Sequence, residues 1–443
     1  ASDVYKRQIQ TIHVEKAREM PGVIGIFTGK DLLEDEVRPV PVNMPFTRED
    51  GSPATSAPYF PLATDAVRFA GQAVAMVIAE TAIQAEDAAE CIEVEYEELP
   101  VLTSLAEAVK PDAPKIWEEI SDNVAAAKTL GNQEEVDAAF RKANHITKLE
   151  LVNPRLIGNP IEPRTSICEY DPESGRRTLH AGHQAPWRLK NGFAQMFQED
   201  PEMFRIVVRD IGGGFGTKTP LYPEDAALVY ASGKLKRNIR WRSSRSDEFH
   251  TTLHARNQET VAEMAFDQNR KILALRAETL ANVGGYLINP GMFIPLRLSP
   301  SVISSMYHLP AVFLSSRCVM TNTAPLGAFR GAGRPEGIYL TERLMDQAAR
   351  EMNLDPAELR RRNMVKSEQM PYNTPMDESI DSGQFEMVLD EALNNSDWNG
   401  FRERREQSRK SGKLRGRGLG CYIEWTGAIW FEEVTSEARA DGS

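Results

Sequence analysis

The chain has 443 residues, 41% of them hydrophobic, enough to bury large cores across an expected two to four domains. Its 52 basic and 64 acidic side chains leave a net charge of −12, which argues against broad nucleic-acid binding. No apolar run approaches the ~20 residues of a membrane span and the start lacks a signal-peptide core, so a soluble cytoplasmic protein is the expectation.

In chain order, residues 1–8 share no pattern with the segments after them. Pro21–Phe27 reads as a turn and a strand, and residues 40–64 are Pro-rich and irregular. Val67–Ile78 contains a buried strand, and Glu80–Glu90 is an alanine-rich helix. From Cys91 onward, Ile-Glu-Val-Glu-Tyr-Glu alternates apolar and acidic residues, the period of a strand with one wet face. The polar stretch near 110–140 reads as a linker. Beyond it, strands are expected at Thr178–His180, Arg205–Asp210, Glu259–Phe266 and Ile272–Asn282. Helices are expected at Trp187–Phe197, after Pro223, and over Pro335–Glu351. Asp355, Pro356 and Glu358 spell an N-cap, a first-turn proline and a third-position acid, so a helix runs on through Leu359–Met364. The basic run Arg402–Arg417 reads as a solvated helix end and then a turn. Both termini read as cut. Ala440–Ser443 resembles a hairpin turn, and Cys421–Phe431 reads as apolar surface awaiting further strands.

Cys91, Cys168, Cys318 and Cys421 are widely spread, without a CxxC or a Cys/His pair at metal spacing. They read as free thiols. The chain therefore carries no iron–sulfur cluster of its own, and in any redox reaction electrons leave through a partner.

Two glycine-rich loops carry the functional argument: Ile211–Lys218 (IGGGFGTK) and Gly327–Glu336 (GAFRGAGRPE). Glycine admits positive φ and close backbone approach, and successive N–H groups in such turns form anion-binding concavities. A phosphate-binding loop would need glycine before the lysine, where Thr217 stands, and a helix directly after it, which Pro220 and Pro223 delay. The same prolines oppose a dinucleotide-binding turn. Two loops about a hundred residues apart suggest one extended anionic ligand.

These loops, with RWRSSRSDEF between them, resemble the molybdenum-binding large subunits of the xanthine dehydrogenase, aldehyde oxidase and aerobic carbon monoxide dehydrogenase family. MPGVIGIFTGKDL, VRFAGQAVAMVIAE, IEVEYEELP, NPIEPRTSICEYD and GLGCYIEWTG extend the resemblance over about residues 9–443. It implies an α+β fold: an N-terminal hammerhead domain over residues 9–110, then a linker at 111–140. The first part of a mixed α/β molybdopterin-binding region would come next, as a first domain over 141–376 and the truncated start of a second over 377–443.

The resemblance also assigns roles. Gln184 matches the glutamine whose amide hydrogen-bonds an oxygen ligand of molybdenum. Phe215 and Gly216 match the backbone that lies against the metal centre, with Gly213 and Gly214 permitting the approach. Arg330 matches the arginine of the second cofactor loop, whereas Lys218 alone reads as a structural or solvated charge. The substrate pocket would include Thr219, Gly331 and Ala332. Gly331 stands where carbon monoxide dehydrogenases carry a copper-binding cysteine. Thr219 and Ala332 replace a purine-recognising glutamate and a stacking aromatic.

The implied activity is oxidative hydroxylation of an aldehyde or N-heterocycle with water as oxygen source. A general-base glutamate would lie downstream. Molybdenum–molybdopterin, as the cytosine dinucleotide, would be the cofactor. FAD and [2Fe–2S] clusters would sit on a medium and an iron–sulfur small subunit, in a dimer of heterotrimers. The alternative is a non-catalytic cofactor-binding or assembly protein that retains the fold. A downstream Gly-x-Gly-Glu segment in the reading frame would favour the enzyme.

Overall fold

The computed structural model describes residues 6–120 and 122–424. The first unit is built from short antiparallel strands. β1 (Arg7–His13) lies between β3 (Ala66–Val67) and β5 (Glu93–Glu98), while β2 (Val23–Thr28) pairs with β4 (Ala75–Ala79). Helix α1 (Ala82–Glu90) begins where the Thr81 hydroxyl accepts the Gln84 N–H. Residues 1–8 do not all stand apart as expected. Arg7 and Gln8 pair with Val67 and Ala66 on one side and with Glu98 and Glu97 on the other.

The second unit starts earlier than its composition suggests. The expected linker holds β6 (Val124–Gly131) and most of helix α2 (Gln133–Arg141). Alanine gives β6 little intrinsic strand preference. The strand forms because Val124–Ala127 are buried and the register runs antiparallel to β16 (Val312–Met320), far along the chain. β16 pairs in parallel with β15 (Ile272–Gly284), and β15 pairs antiparallel with β14 (Gln258–Phe266). β7 (His145–Asn153) closes the five-stranded sheet, and β8 (Leu156–Ile157) pairs antiparallel with β13 (His254–Ala255).

A four-stranded sheet of order β11-β10-β9-β12 carries the first glycine loop. Its strands are β9 (Thr165–Tyr170), β10 (Arg177–Ala181), β11 (Phe204–Val207) and β12 (Ile239–Arg242). Helices α3 (Pro186–Phe197) and α4 (Pro223–Leu235), each started by a proline, share one core with its inner face through Leu189, Phe193, Leu228 and Val229.

The five-stranded sheet packs on α5 (Arg334–Glu351) and α6 (Pro356–Asn363) through Met264, Leu275, Leu344, Met345 and Leu359. As expected, α6 is capped by Asp355, whose carboxylate accepts the Ala357 N–H at 2.8 Å. Arg402–Arg417 begins in an exposed helix, Phe401–Lys410, and turns at Gly412 with φ +72°.

Aromatic packing joins the two units. Tyr59 stacks on Tyr286 with ring centroids 4.2 Å apart, Gln72 donates to the Tyr286 hydroxyl at 2.7 Å, and the Trp117 indole donates to the Gly285 carbonyl at 2.8 Å. Ala440–Ser443 and Trp425–Phe431 lie outside the described residues, while Cys421 is buried in the core beneath α5.

Leu344 is fully buried between α5 and the sheet, so Leu344→Ala removes packing and leaves a cavity. We expect a loss of about 2–5 kcal/mol in urea unfolding. A loss under about 1 kcal/mol would contradict this placement of the core.

Candidate functional site

The site begins where β10 ends, at His180-Ala-Gly-His-Gln184. His183 is buried. Its Nδ1 accepts the Ala185 N–H at 3.0 Å, so the proton sits on Nε2, which donates to the Pro220 carbonyl at 3.1 Å. Burial pushes this imidazole down to about 4, so the ring is neutral at pH 7. It thereby ties the Gln184 turn to the end of the first glycine loop. The Gln184 backbone N–H donates to the Lys218 carbonyl at 2.8 Å, and its side-chain Oε1 accepts the Gly216 N–H at 2.8 Å. With that oxygen engaged, the amide orientation is fixed. Its two N–H groups make no hydrogen bond among the described residues.

The loop itself runs through Gly213 (φ +99°), Phe215 (φ +53°) and Gly216 (φ +91°). A Cβ on Gly214 would fall 2.6 Å from the Gln184 amide, and one on Gly216 would fall 2.8 Å from the Ala328 carbonyl oxygen. Gly214 needs glycine for close approach alone, and Gly216 for close approach as much as for its positive φ. Gly216 N–H is taken by Gln184, so of the two N–H groups expected to face a ligand, that of Phe215 has no partner among the described residues. The Phe215 ring is exposed. Thr219 closes the turn by donating its N–H to the Gly216 carbonyl at 3.3 Å.

The second loop meets the first directly. Arg330 N–H donates to the Phe215 carbonyl at 2.9 Å, so Gln184, Phe215 and Arg330 converge although they are distant in sequence. The loop is held from behind by buried Arg256, which donates to the carbonyls of Phe329 (3.1 Å) and Arg330 (3.0 Å) and pairs with Glu336 at 3.0 Å. Glu336 also accepts the Gly333 N–H at 2.9 Å, capping α5. The Arg330 side chain is exposed. Gly331 has φ +95°, and a Cβ there would lie 2.6 Å from the Pro335 ring; Ala332 has φ +41°. This loop conformation has no room for a cysteine at position 331.

Sequence reasoning did not single out the residues behind the loops: His183, Glu162, Tyr222 and Arg256. Tyr222 donates its hydroxyl hydrogen to the Thr217 carbonyl (2.6 Å) and accepts the Leu253 N–H (3.2 Å). Glu336 had a readable signal, being the acid third in a helix after a glycine cap. The others hold main-chain atoms far away in sequence, for which no local pattern exists. Among the described residues, no cluster of three or more His, Cys, Asp or Glu side chains could hold a metal ion. Among the described residues, no helix is long and apolar enough to cross a membrane.

The molybdopterin cofactor-binding domain matches residues 116–364, more than half of the chain, and the a/b hammerhead domain of aldehyde oxidase and xanthine dehydrogenase matches residues 1–100. The chain belongs to this molybdopterin-binding xanthine dehydrogenase, aldehyde oxidase and carbon monoxide dehydrogenase family. It is 32% identical to the carbon monoxide dehydrogenase large chain of Hydrogenophaga pseudoflava, over 95% of this chain and 53% of that one. It is 30% identical to the nicotine 6-hydroxylase large subunit of Paenarthrobacter nicotinovorans, over 98% and 52%. The structure superposes on quinoline 2-oxidoreductase from Pseudomonas putida 86 with a TM-score of 0.86 at 29% identity, covering 93% of this chain and 51% of that one. The chain thus spans about half the length of the relatives it matches. The expected family and the α+β fold, hammerhead unit first, are borne out.

The loop geometry and the buried imidazoles each generate an expectation. Gly216→Ala drives a methyl into the Ala328 carbonyl at a positive φ; we expect a loss of about 1–3 kcal/mol in urea unfolding, and a wild-type midpoint would contradict the loop conformation. The second expectation concerns pH. His183 and His254 are both pushed down to about 4 from 6.5, His183 by burial and His254 by burial with Arg155 beside it. Because the unfolded imidazoles bind protons that the folded ones refuse, the stability each supplies is complete above pH 6.5 and lost as pH falls through 4, about 3 kcal/mol apiece. Buried Asp225, pushed up by burial to about 6, titrates in the opposite sense and offsets roughly one of them. His183→Gln, which keeps a donor and an acceptor, should flatten stability between pH 6.5 and 4. An unchanged slope would contradict the neutral His183.

Proposed function

We propose that this chain is part of the large subunit of a molybdenum hydroxylase that oxidatively hydroxylates an aldehyde or an N-heterocycle, taking oxygen from water. The observation that carries this reading is the Gln184 amide, locked through its oxygen by Gly216 N–H, with its own N–H groups and the neighbouring Phe215 N–H making no hydrogen bond among the described residues. Glycine at 214 and 216 lets the Gln184 amide and the Ala328 carbonyl pack directly against the loop, where a side chain would collide with them. The residues present fit a cofactor that presents oxygen ligands to neutral donors. When bound, molybdenum–molybdopterin would supply the two-electron redox centre at which substrate carbon is oxidised.

The chain's own residues position and donate. Gln184 donates hydrogen bonds without fixing charge, Phe215 offers its backbone N–H, and Arg330 brings positive charge to the cleft from the second loop. Gly213, Gly214 and Gly216 admit the cofactor to the backbone. Thr219, Gly331 and Ala332 border the substrate side. With no carboxylate at Thr219 and no aromatic ring at Ala332, purines find neither a charge-assisted partner nor a stacking platform. The cytosine dinucleotide form of the cofactor belongs to this proposal. So do a general-base glutamate downstream, partner subunits bearing [2Fe–2S] clusters and FAD in a dimer of heterotrimers, and a cytoplasmic location. We place the hammerhead unit at residues 9–110, the first molybdopterin-binding domain up to 376 and the start of a second after it, with β6 and α2 counted in the first.

The test uses the complete subunit with its partners. We expect stoichiometric molybdenum and aldehyde- or heterocycle-dependent dye reduction, negligible CO oxidation even when copper-replete, and weak xanthine turnover. Robust CO-dependent reduction, or xanthine turnover equal to that on the best aldehyde, would contradict the pocket assignment. Absence of molybdenum would favour a non-catalytic binding or assembly role. The 443 residues alone should not turn over substrate, since losing a general base costs on the order of 10²–10⁴ in rate; steady turnover by them would overturn that expectation.

A further inference from the structure

Behind the first glycine loop lies an ion pair whose members come from different segments. Lys218, only 2% exposed, meets Glu162 Oε2 at 2.6 Å. The same oxygen accepts the Gly212 N–H at 2.8 Å, and the Glu162 N–H donates to the Gly212 carbonyl at 3.1 Å. One carboxylate therefore fastens both ends of the Gly212–Lys218 loop. Burial works against ionising Glu162, but Lys218 and the Gly212 N–H outweigh it and hold the carboxyl below its usual range. The pair also abuts the glutamine turn. A Cβ on Gly182 would sit 3.1 Å from Glu162 Oε2 and 3.6 Å from Lys218 Nζ, and the Lys218 carbonyl accepts the Gln184 N–H. Moving the pair moves the Phe215–Gly216 backbone and the Gln184 turn together.

We propose that Glu162, acting through Lys218 and Gly212, is a positioning residue for the hydroxylation: it keeps the Phe215 N–H and the Gln184 amide in register without touching the reacting atoms. The inference rests on reading these loops as the cofactor cradle. Lys218 is buried while the Glu162 side chain is 39% exposed, so removing Glu162 strands the buried Lys218 charge. Partners one shell behind a metal's contacts typically contribute 10- to 100-fold to activity or affinity.

The experiment uses the complete subunit in its complex, as wild type, Glu162→Gln, and the double variant Glu162→Gln/Lys218→Met, which removes the stranded charge. Molybdenum content, the electron paramagnetic resonance of partly reduced enzyme, kcat and KM are measured with one aldehyde. For Glu162→Gln we expect wild-type molybdenum, a shifted resonance, kcat lower by about 10- to 100-fold and KM within about threefold. The double variant should recover part of kcat yet stay at least about threefold below wild type, and it decides the matter should the single variant not fold. Wild-type kcat with an unshifted resonance in either variant overturns the proposal. Molybdenum lost in proportion to activity also overturns it, by making Glu162 a retention residue. Molybdenum missing from the wild type rejects the cofactor reading instead, a separate outcome.

Discussion

The hydrogen bond from Arg330 N–H to the Phe215 carbonyl joins two loops that the fold delivers from different cores. The first loop comes after β11 and is backed by the four-stranded sheet and its two helices. The second opens α5, which packs on the five-stranded sheet. Neither loop alone makes a cradle. On the proposed reading their meeting fixes where the cofactor would lie, and the residues behind them keep that contact in place: His183 and Tyr222 for the first loop, Arg256 and Glu336 for the second.

The buried charges suit this task. Arg256 and Glu336 satisfy each other and three main-chain groups, so little is left unpaired. A buried ion pair adds little net stability over a well-packed apolar pair, but breaking one is costly. Such pairs are better read as devices that hold a backbone conformation containing several positive φ values. On the proposed reading the conformation would also bear on specificity, because Gly331 at φ +95° beside the Pro335 ring and Ala332 at φ +41° would line the substrate side with small residues.

Much of this was legible in the chain. The glycine loops, the proline-started helices and the Asp355 cap are local signals, and each appears where local chemistry puts it. The strands at β14 and β15 reflect alternation. What stayed hidden depends on partners far away. β6 is a run of alanines between polar segments, and it becomes a strand only by pairing with β16, nearly two hundred residues on. Glu162 and Arg256 look like ordinary surface charges until the fold brings main-chain atoms to them. The convergence of Gln184 with Phe215 and Arg330 was expected from resemblance to a family and not from spacing. The structure supplies the contacts that make it physical.

The central claim is that one molybdenum centre sits between the two loops, against the Gln184 amide and the Phe215 backbone. Anomalous diffraction at the molybdenum edge from crystals of the complete complex tests it most directly. The account predicts a single strong peak per large subunit in the cleft bordered by Gln184, Phe215 and Arg330. A peak elsewhere in the subunit, or fully loaded enzyme with none in that cleft, would contradict it.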